Sequence, residues 1–156
     1  MLGDYSTTMK IYRISAVTLK VKNMEKSCTF YSRLPGFHIV YGGRAADSFT
    51  TFEVGKGSKI YINLELTSVD NGIISANDTA KRKVGPMDFG RIIFHCEDPD
   101  NLYFYMRNDK AISEAITFEN EPTDAPWGER FFHVREPDGY ELSFAQPIPS
   151  GVQERK

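Results

Sequence analysis

The chain has no surplus of positive charge: 19 Lys and Arg face 21 Asp and Glu over 156 residues, a net charge of −2. Its densest cationic group, Lys81-Arg82-Lys83, sits in a polar middle segment, and no basic stripe runs along any predicted strand or helix. Without that electrostatic footprint, no nucleic-acid partner is expected. Cysteine is scarce. Cys28 and Cys96 fall in neither a CxxC spacing nor a disulfide framework, so two reduced, mostly buried thiols are expected. No apolar run approaches the roughly 18 residues that a membrane span needs, so no membrane partner is expected. The first residues lack the charged start and apolar stretch of a signal peptide, which leaves a cytoplasmic protein as the default expectation. Low-complexity sequence is absent too. Hydrophobic residues make up 40% and charged residues 26%, an ordinary globular balance with enough apolar side chains for a core.

What is present is one pattern written twice. Residues 14–67 read strand, helix and three strands, and residues 89–147 read the same way. Around them lie a leader (1–13), a linker rich in Asp, Asn, Ser, Thr, Lys and Gly (68–88) and a tail (148–156). In the first half Val17, Leu19 and Val21 alternate with Ala16, Thr18 and Lys20, the period of a strand over 15–21. Asn23 is placed to cap a helix whose stripe is Met24, Cys28 and Tyr31, and Pro35-Gly36 ends it. Strands are expected over 37–41, 49–54 and 59–66, separated by glycine turns. The second half opens with a strand over 91–96. Asp98-Pro99-Asp100 then starts a helix carrying Leu102, Tyr103, Tyr105 and Met106. A short strand is expected over 115–118, then a loop over 122–128. A hairpin of 130–135 with 140–145 turns on Glu136-Pro137-Asp138-Gly139. A four-stranded sheet with one helix covers only one of its faces, and two such sheets side by side can curl around a shared cavity, so the duplication points to a site between the halves.

Two stretches resemble a known family. Asn23-Met24-Glu25-Lys26-Ser27-Cys28-Thr29-Phe30-Tyr31 followed by Leu34-Pro35-Gly36-Phe37 is similar to the first-helix signature of the vicinal oxygen chelate superfamily, which holds glyoxalase I, extradiol dioxygenases and bleomycin-resistance proteins. Pro126-Trp127-Gly128-Glu129-Arg130 and Glu136-Pro137-Asp138-Gly139-Tyr140 resemble its C-terminal signature as written in the bleomycin-resistance branch. The resemblance covers about residues 14–147. It implies an α+β fold of paired βαβββ modules forming a curved, incompletely closed mixed sheet around a cavity, and a homodimer that gives the sheet edges a partner.

Catalytic members hold a divalent metal with His or Glu at four inward strand positions, and the same resemblance places residues of this chain there. Ala16 falls where the first ligand is expected and has nothing to donate. Arg91 falls on the next position, where a fixed cation repels a metal, and Ser143 on the last, a poor substitute for a carboxylate. The remaining position is Glu65 or Asn63; these two share a strand face either way. One ligand of four at best does not hold a catalytic metal, so no metal and no cofactor are expected.

If Arg91 points inward, its charge needs a partner. Glu65 and Glu141 are the internal candidates, a bound anion is the external one, and His95 shares Arg91's strand face. The other reading of Arg91 is a surface strand arginine with its stem laid on the sheet. Trp127 stands in a loop fixed by Pro126 and Gly128, either at the cavity mouth or as a packed anchor. The candidate ligand-binding residues are therefore Arg91, Glu65, Asn63, His95, Glu141, Ser143 and Trp127; catalytic residues are unknown. Three functions remain open. The first is a binding module that takes a small aromatic or anionic molecule in a metal-free cavity. The second is a lyase, isomerase or dioxygenase, either metal-dependent or working by acid-base chemistry through Glu65, Glu141 or His95. The third is a scaffold whose dimer surface is its function.

Overall fold

A computed structural model describes residues 11–67 and 89–149. The expected linker over 68–88, most of the leader and most of the tail lie outside the described residues. The first module runs β1 (Ala16–Val21), α1 (Met24–Ser32), β2 (Phe37–Tyr41), β3 (Phe49–Val54) and β4 (Tyr61–Leu66). The second runs β5 (Arg91–His95), α2 (Pro99–Asn108), α3 (Lys110–Ser113), β6 (Thr117–Phe118), β7 (Thr123–Asp124), β8 (Glu129–Arg135) and β9 (Glu141–Pro147). Each module folds into its own mixed sheet, ordered β1-β4-β3-β2 in the first and β5-β9-β8-β6 in the second, with β7 added on β8. The opening strand lies parallel to the closing strand in both, β1 on β4 and β5 on β9, and the helical crossover makes that parallel pairing possible. Neither sheet closes into a barrel. Among the described residues no helix is long and apolar enough to cross a membrane.

Local chemistry explains the element ends. The Asn23 side chain accepts from the backbone N–H of Lys26 at 2.9 Å, and the Asp98 side chain accepts from that of Asn101 at 3.0 Å, so each helix starts on a cap. Gly36 leaves α1 with a φ of +86°, a conformation open to glycine. Strand β4 begins at Tyr61 rather than Lys59 because Lys59 takes a left-handed φ of +56° in the preceding turn. Strand β6 is shorter than expected because Ala115 donates to the Ile112 carbonyl and closes α3. That one-turn helix is capped by Asp109, which accepts from the Ile112 N–H at 3.0 Å.

Alternation then decides which face is covered. Leu19 and Val21 of β1 are buried while Thr18 and Lys20, which alternate with them, are exposed. On the second sheet Phe132, Val134, Leu142 and Phe144 are buried on the helix side, and Ile93 on the opposite side is 61% exposed. The covered faces of both modules feed one hydrophobic cluster, with Phe37 edge-on to Phe94 at 5.4 Å across the seam. The open face of each sheet points away from this common core. Cys28 is buried and Cys96 half-buried, both free thiols.

The Pro137-Asp138-Gly139 turn fastens the second module to the first. Asp138 accepts from the Lys22 N–H at 3.0 Å and from the Ser27 hydroxyl at 3.2 Å, and the Tyr140 hydroxyl donates to the Lys20 carbonyl at 2.9 Å. Ser27 is fully buried, so losing Asp138 leaves its hydroxyl without a partner. Asp138→Ala is therefore expected to cost about 1–3 kcal/mol, read as a lower denaturant midpoint with an unchanged slope.

Candidate functional site

The open face of the second sheet collects the charged side chains. Strand β5 supplies Arg91, Ile93 and His95, β9 supplies Glu141 and Ser143, β8 supplies Phe131, His133 and Arg135, and Glu119 follows β6. Pairing sets two neighbouring rows, Arg91 beside Glu141 beside Arg135, then Ile93 beside Ser143 beside His133. In the first row the charges close into a ring. Arg91 Nη2 lies 2.9 Å from Glu141 Oε2 and 3.8 Å from Glu119 Oε2. Arg135 Nη2 lies 2.6 Å from Glu141 Oε1, and its Nε lies 2.7 Å from Glu119 Oε1. Two guanidiniums and two carboxylates sum to zero, so the ring is neutral while each member is held by two others.

Arg91 thus points onto the open face and finds Glu141, as expected, and Glu119, which the sequence did not suggest. It does not meet Glu65. That carboxylate belongs to the first sheet, where register puts it beside Lys20, with Nζ 2.6 Å away. Among the described residues, two atoms in the second sheet's face have no hydrogen-bond partner although hidden from solvent: Arg91 Nη1 and His133 Nδ1. Burial first, then the Arg91 charge, holds the His133 imidazole below the usual histidine range, and the carboxylates of Glu119 and Glu141 only partly offset this. At neutral pH it is an uncharged ring with an unused nitrogen.

The remaining candidates divide between the two sheets. Ser143 faces the same side as Arg91 but is only 3% exposed beneath its neighbours. Trp127 is no packed anchor: it is 70% exposed, stacks on Phe131 at 5.9 Å and 22°, and donates from Nε1 to Glu129 at 3.0 Å. Phe131 continues the aromatic row to His133, 4.6 Å between centroids. His95 reaches toward the other oxygen of Glu129, at 3.8 Å. On the first sheet Asn63 accepts from Thr51 at 2.9 Å and donates to Thr18 at 3.2 Å. Asn63 and Glu65 face the same way, as the strand period requires, but neither approaches the ring within one chain. Glu119, Arg135 and Phe131 escaped the sequence reading, which gave His133 no role because it falls at no position the family uses. The hairpin register around Pro137-Asp138-Gly139 could have found His133, because it sets that residue opposite Ser143.

A sequence model of the Glyoxalase/Bleomycin resistance protein/Dioxygenase superfamily matches residues 13–144. The chain belongs to that superfamily. A superfamily member from Sphaerobacter thermophilus DSM 20745 is 27% identical, with 86% of this chain and 97% of that one covered and a TM-score of 0.58. A glyoxalase/bleomycin resistance protein/dioxygenase from Nocardioides is 18% identical, with coverage of 97% and 95% and a TM-score of 0.59. A family enzyme from Burkholderia phytofirmans PsJN is 14% identical, with coverage of 88% and 100% and a TM-score of 0.59. These last two speak for the fold alone. Among curated proteins there is no match.

Superfamily membership raises the question of a metal, and the side chains present do not fit one. Ala16 carries no donor and pairs beside Tyr61. Arg91 puts a positive charge on the face, locked there by two carboxylates. Ser143 offers only a buried hydroxyl, and Glu65 is engaged by Lys20. Among the described residues no three His, Cys, Asp or Glu side chains converge as ligands. A divalent ion needs neutral imidazoles or carboxylates free to coordinate, and here the available carboxylates already answer to arginines and a lysine.

Proposed function

We propose that the chain binds a small flat molecule with an anionic or hydrogen-bond-accepting end, without a metal, on the open face of the second sheet. The polar end of the ligand meets Arg91, and its ring lies over the His133 row toward Phe131, on which Trp127 stacks. The observation that carries this reading is Arg91 itself: two carboxylates fix its guanidinium while the side chain stays 25% exposed, and the exposed Trp127 and the half-buried Phe131 stand on the same open face. Accessible aromatics and a preset charged group on one open face are a common composition for a ligand site. The open face is covered in this reading by the first-module face of a second copy, which makes the active form a homodimer and brings Asn63 and Glu65 toward the ring.

Trp127 is the only tryptophan, so its emission reports on the site directly. Titration with salicylate is expected to quench it, with EDTA making no difference. Arg91→Ala is expected to weaken salicylate about tenfold, the worth of one charge-assisted hydrogen bond, and to change binding of uncharged benzamide little. Salicylate binding that vanishes with EDTA and returns with zinc defeats the proposal.

A further inference from the structure

The seam between the modules contains a concavity distinct from the ion ring, reached at one edge by His95 at the end of β5. Its inner part is a cavity of about 210 Å³, walled by Leu34, Phe37 and Val54 from the first module and Phe94, Leu102 and Phe144 from the second. It widens into a groove of about 790 Å³ whose rim includes Glu97, Asp98 and Tyr105. Phe94 and Phe144 lie on the helix side of the second sheet, the side away from Arg91, so nothing in the cavity is shared with the ion ring.

We propose that this seam is a second small-molecule site, for an aromatic ammonium compound whose ring enters the cavity and whose charged nitrogen stays at the rim. The depth is apolar and shaped for a ring. Phe94 and Phe144 stack at 5.6 Å and 21°, and Phe37 meets Phe94 edge-on at 5.4 Å, so an inserted ring finds both faces and edges to pack on. Even a cavity of about 150 Å³ lined by Leu, Ile and Phe accepts benzene when it is dry.

The rim supplies the sign. Glu97 and Asp98 line it; His95 is the one basic side chain there, and among the described residues no lysine or arginine lines the cavity or the groove. Asp98 is held in place by accepting from Asn101 through both oxygens, at 3.0 Å from the backbone N–H and 2.8 Å from the side chain, and a carboxylate has capacity for a further donor. Its field reaches the cavity wall: burial first and then the Asp98 charge push the Cys96 thiol up to about 11. That thiol therefore stays protonated and serves as a soft apolar lining, and the site binds without covalent chemistry.

The test is calorimetric titration of the full chain with 1-naphthylmethylamine and with 1-naphthoate, equal in ring and opposite in charge. The amine is expected to bind at least about fivefold more tightly than the acid, the worth of a partly screened ion pair. The pair Glu97→Gln and Asp98→Asn is expected to erase that preference while keeping α2 intact, because Asn caps a helix as well as Asp. Leu102→Phe narrows the cavity and is expected to weaken both compounds; if that variant fails to fold, the charge pair decides alone. Equal affinity for the two compounds, no binding of the amine, or a preference that survives both charge substitutions overturns the proposal. Because Arg91 and Trp127 lie elsewhere, none of these outcomes bears on the salicylate site.

Discussion

Glu136→Gln is expected to stabilise the protein by about 3 kcal/mol at pH 8 and to leave stability at pH 4.5 nearly unchanged. Glu136 is 3% exposed, and among the described residues no cation forms an ion pair with it. Its Oε1 accepts from the backbone N–H groups of Asp138 at 2.6 Å and Tyr140 at 3.1 Å, and its Oε2 from the Tyr31 hydroxyl at 3.2 Å. Burial outweighs these donors and pushes the carboxyl from 4.5 up to about 7. The sign follows from linkage. Between those two values the folded protein holds a proton that the unfolded chain releases, so this stabilisation is complete below pH 4.5 and is lost as pH rises through 7. Glutamine keeps one oxygen for the two N–H groups, offers an amide to Tyr31 and carries no charge to bury. Thermal melts of both proteins from pH 4.5 to 8 should diverge, with the variant higher by roughly 5–10 °C at the alkaline end. Parallel curves across the range would show that the carboxylate does not titrate there.

The location of Glu136 gives that titration a structural meaning. Tyr31 belongs to α1 of the first module and Glu136 to the turn region of the second, so the strained charge sits on the joint between modules. The neighbouring bonds from Asp138 to Lys22 and Ser27 cross the same joint. Ionising Glu136 therefore places an uncompensated buried charge at this joint, and the Asp138→Ala variant should have less stability in reserve at pH 8 than at pH 5.

The duplicated frame was legible because it rests on local signals. The Val17, Leu19, Val21 alternation, the Asn23 and Asp98 caps and the Pro137-Asp138-Gly139 hairpin each act within a few residues, and each appears where the sequence put it. Helix α3 and strand β7 were missed because one turn and two residues are too short to show a period. The site was legible one strand at a time. Arg91 and Glu141 emerged because their strands are defined by strong motifs, and Trp127 because glycine and proline frame it. Glu119 stayed hidden because it meets Arg91 only through the sideways order β5-β9-β8-β6, which no single segment encodes. Within one chain Arg91 and Glu65 do not meet for the same reason, since a sequence does not say which sheet faces which, and register gives Glu65 to Lys20.

The ion ring makes the sharpest prediction about the site, because its members act on a common witness. Arg91→Met and Glu141→Gln should each cost about 2 kcal/mol, below the cost of breaking a fully buried pair since both side chains remain 25% exposed. The double variant should cost less than the sum, with a coupling of about 1–2 kcal/mol, because the second loss removes a charge that the first had already left unbalanced. Stability alone does not prove the ring, since any packed pair can couple. His133 does. Arg91 depresses its protonation and Glu141 favours it. Its titration midpoint, followed by NMR of the imidazole Cε1 proton, should therefore rise in Arg91→Met and fall in Glu141→Gln, with the double variant between them. Shifts of the same sign in both single variants would mean that repacking, not the fixed charges of Arg91 and Glu141, governs the polar centre of this face.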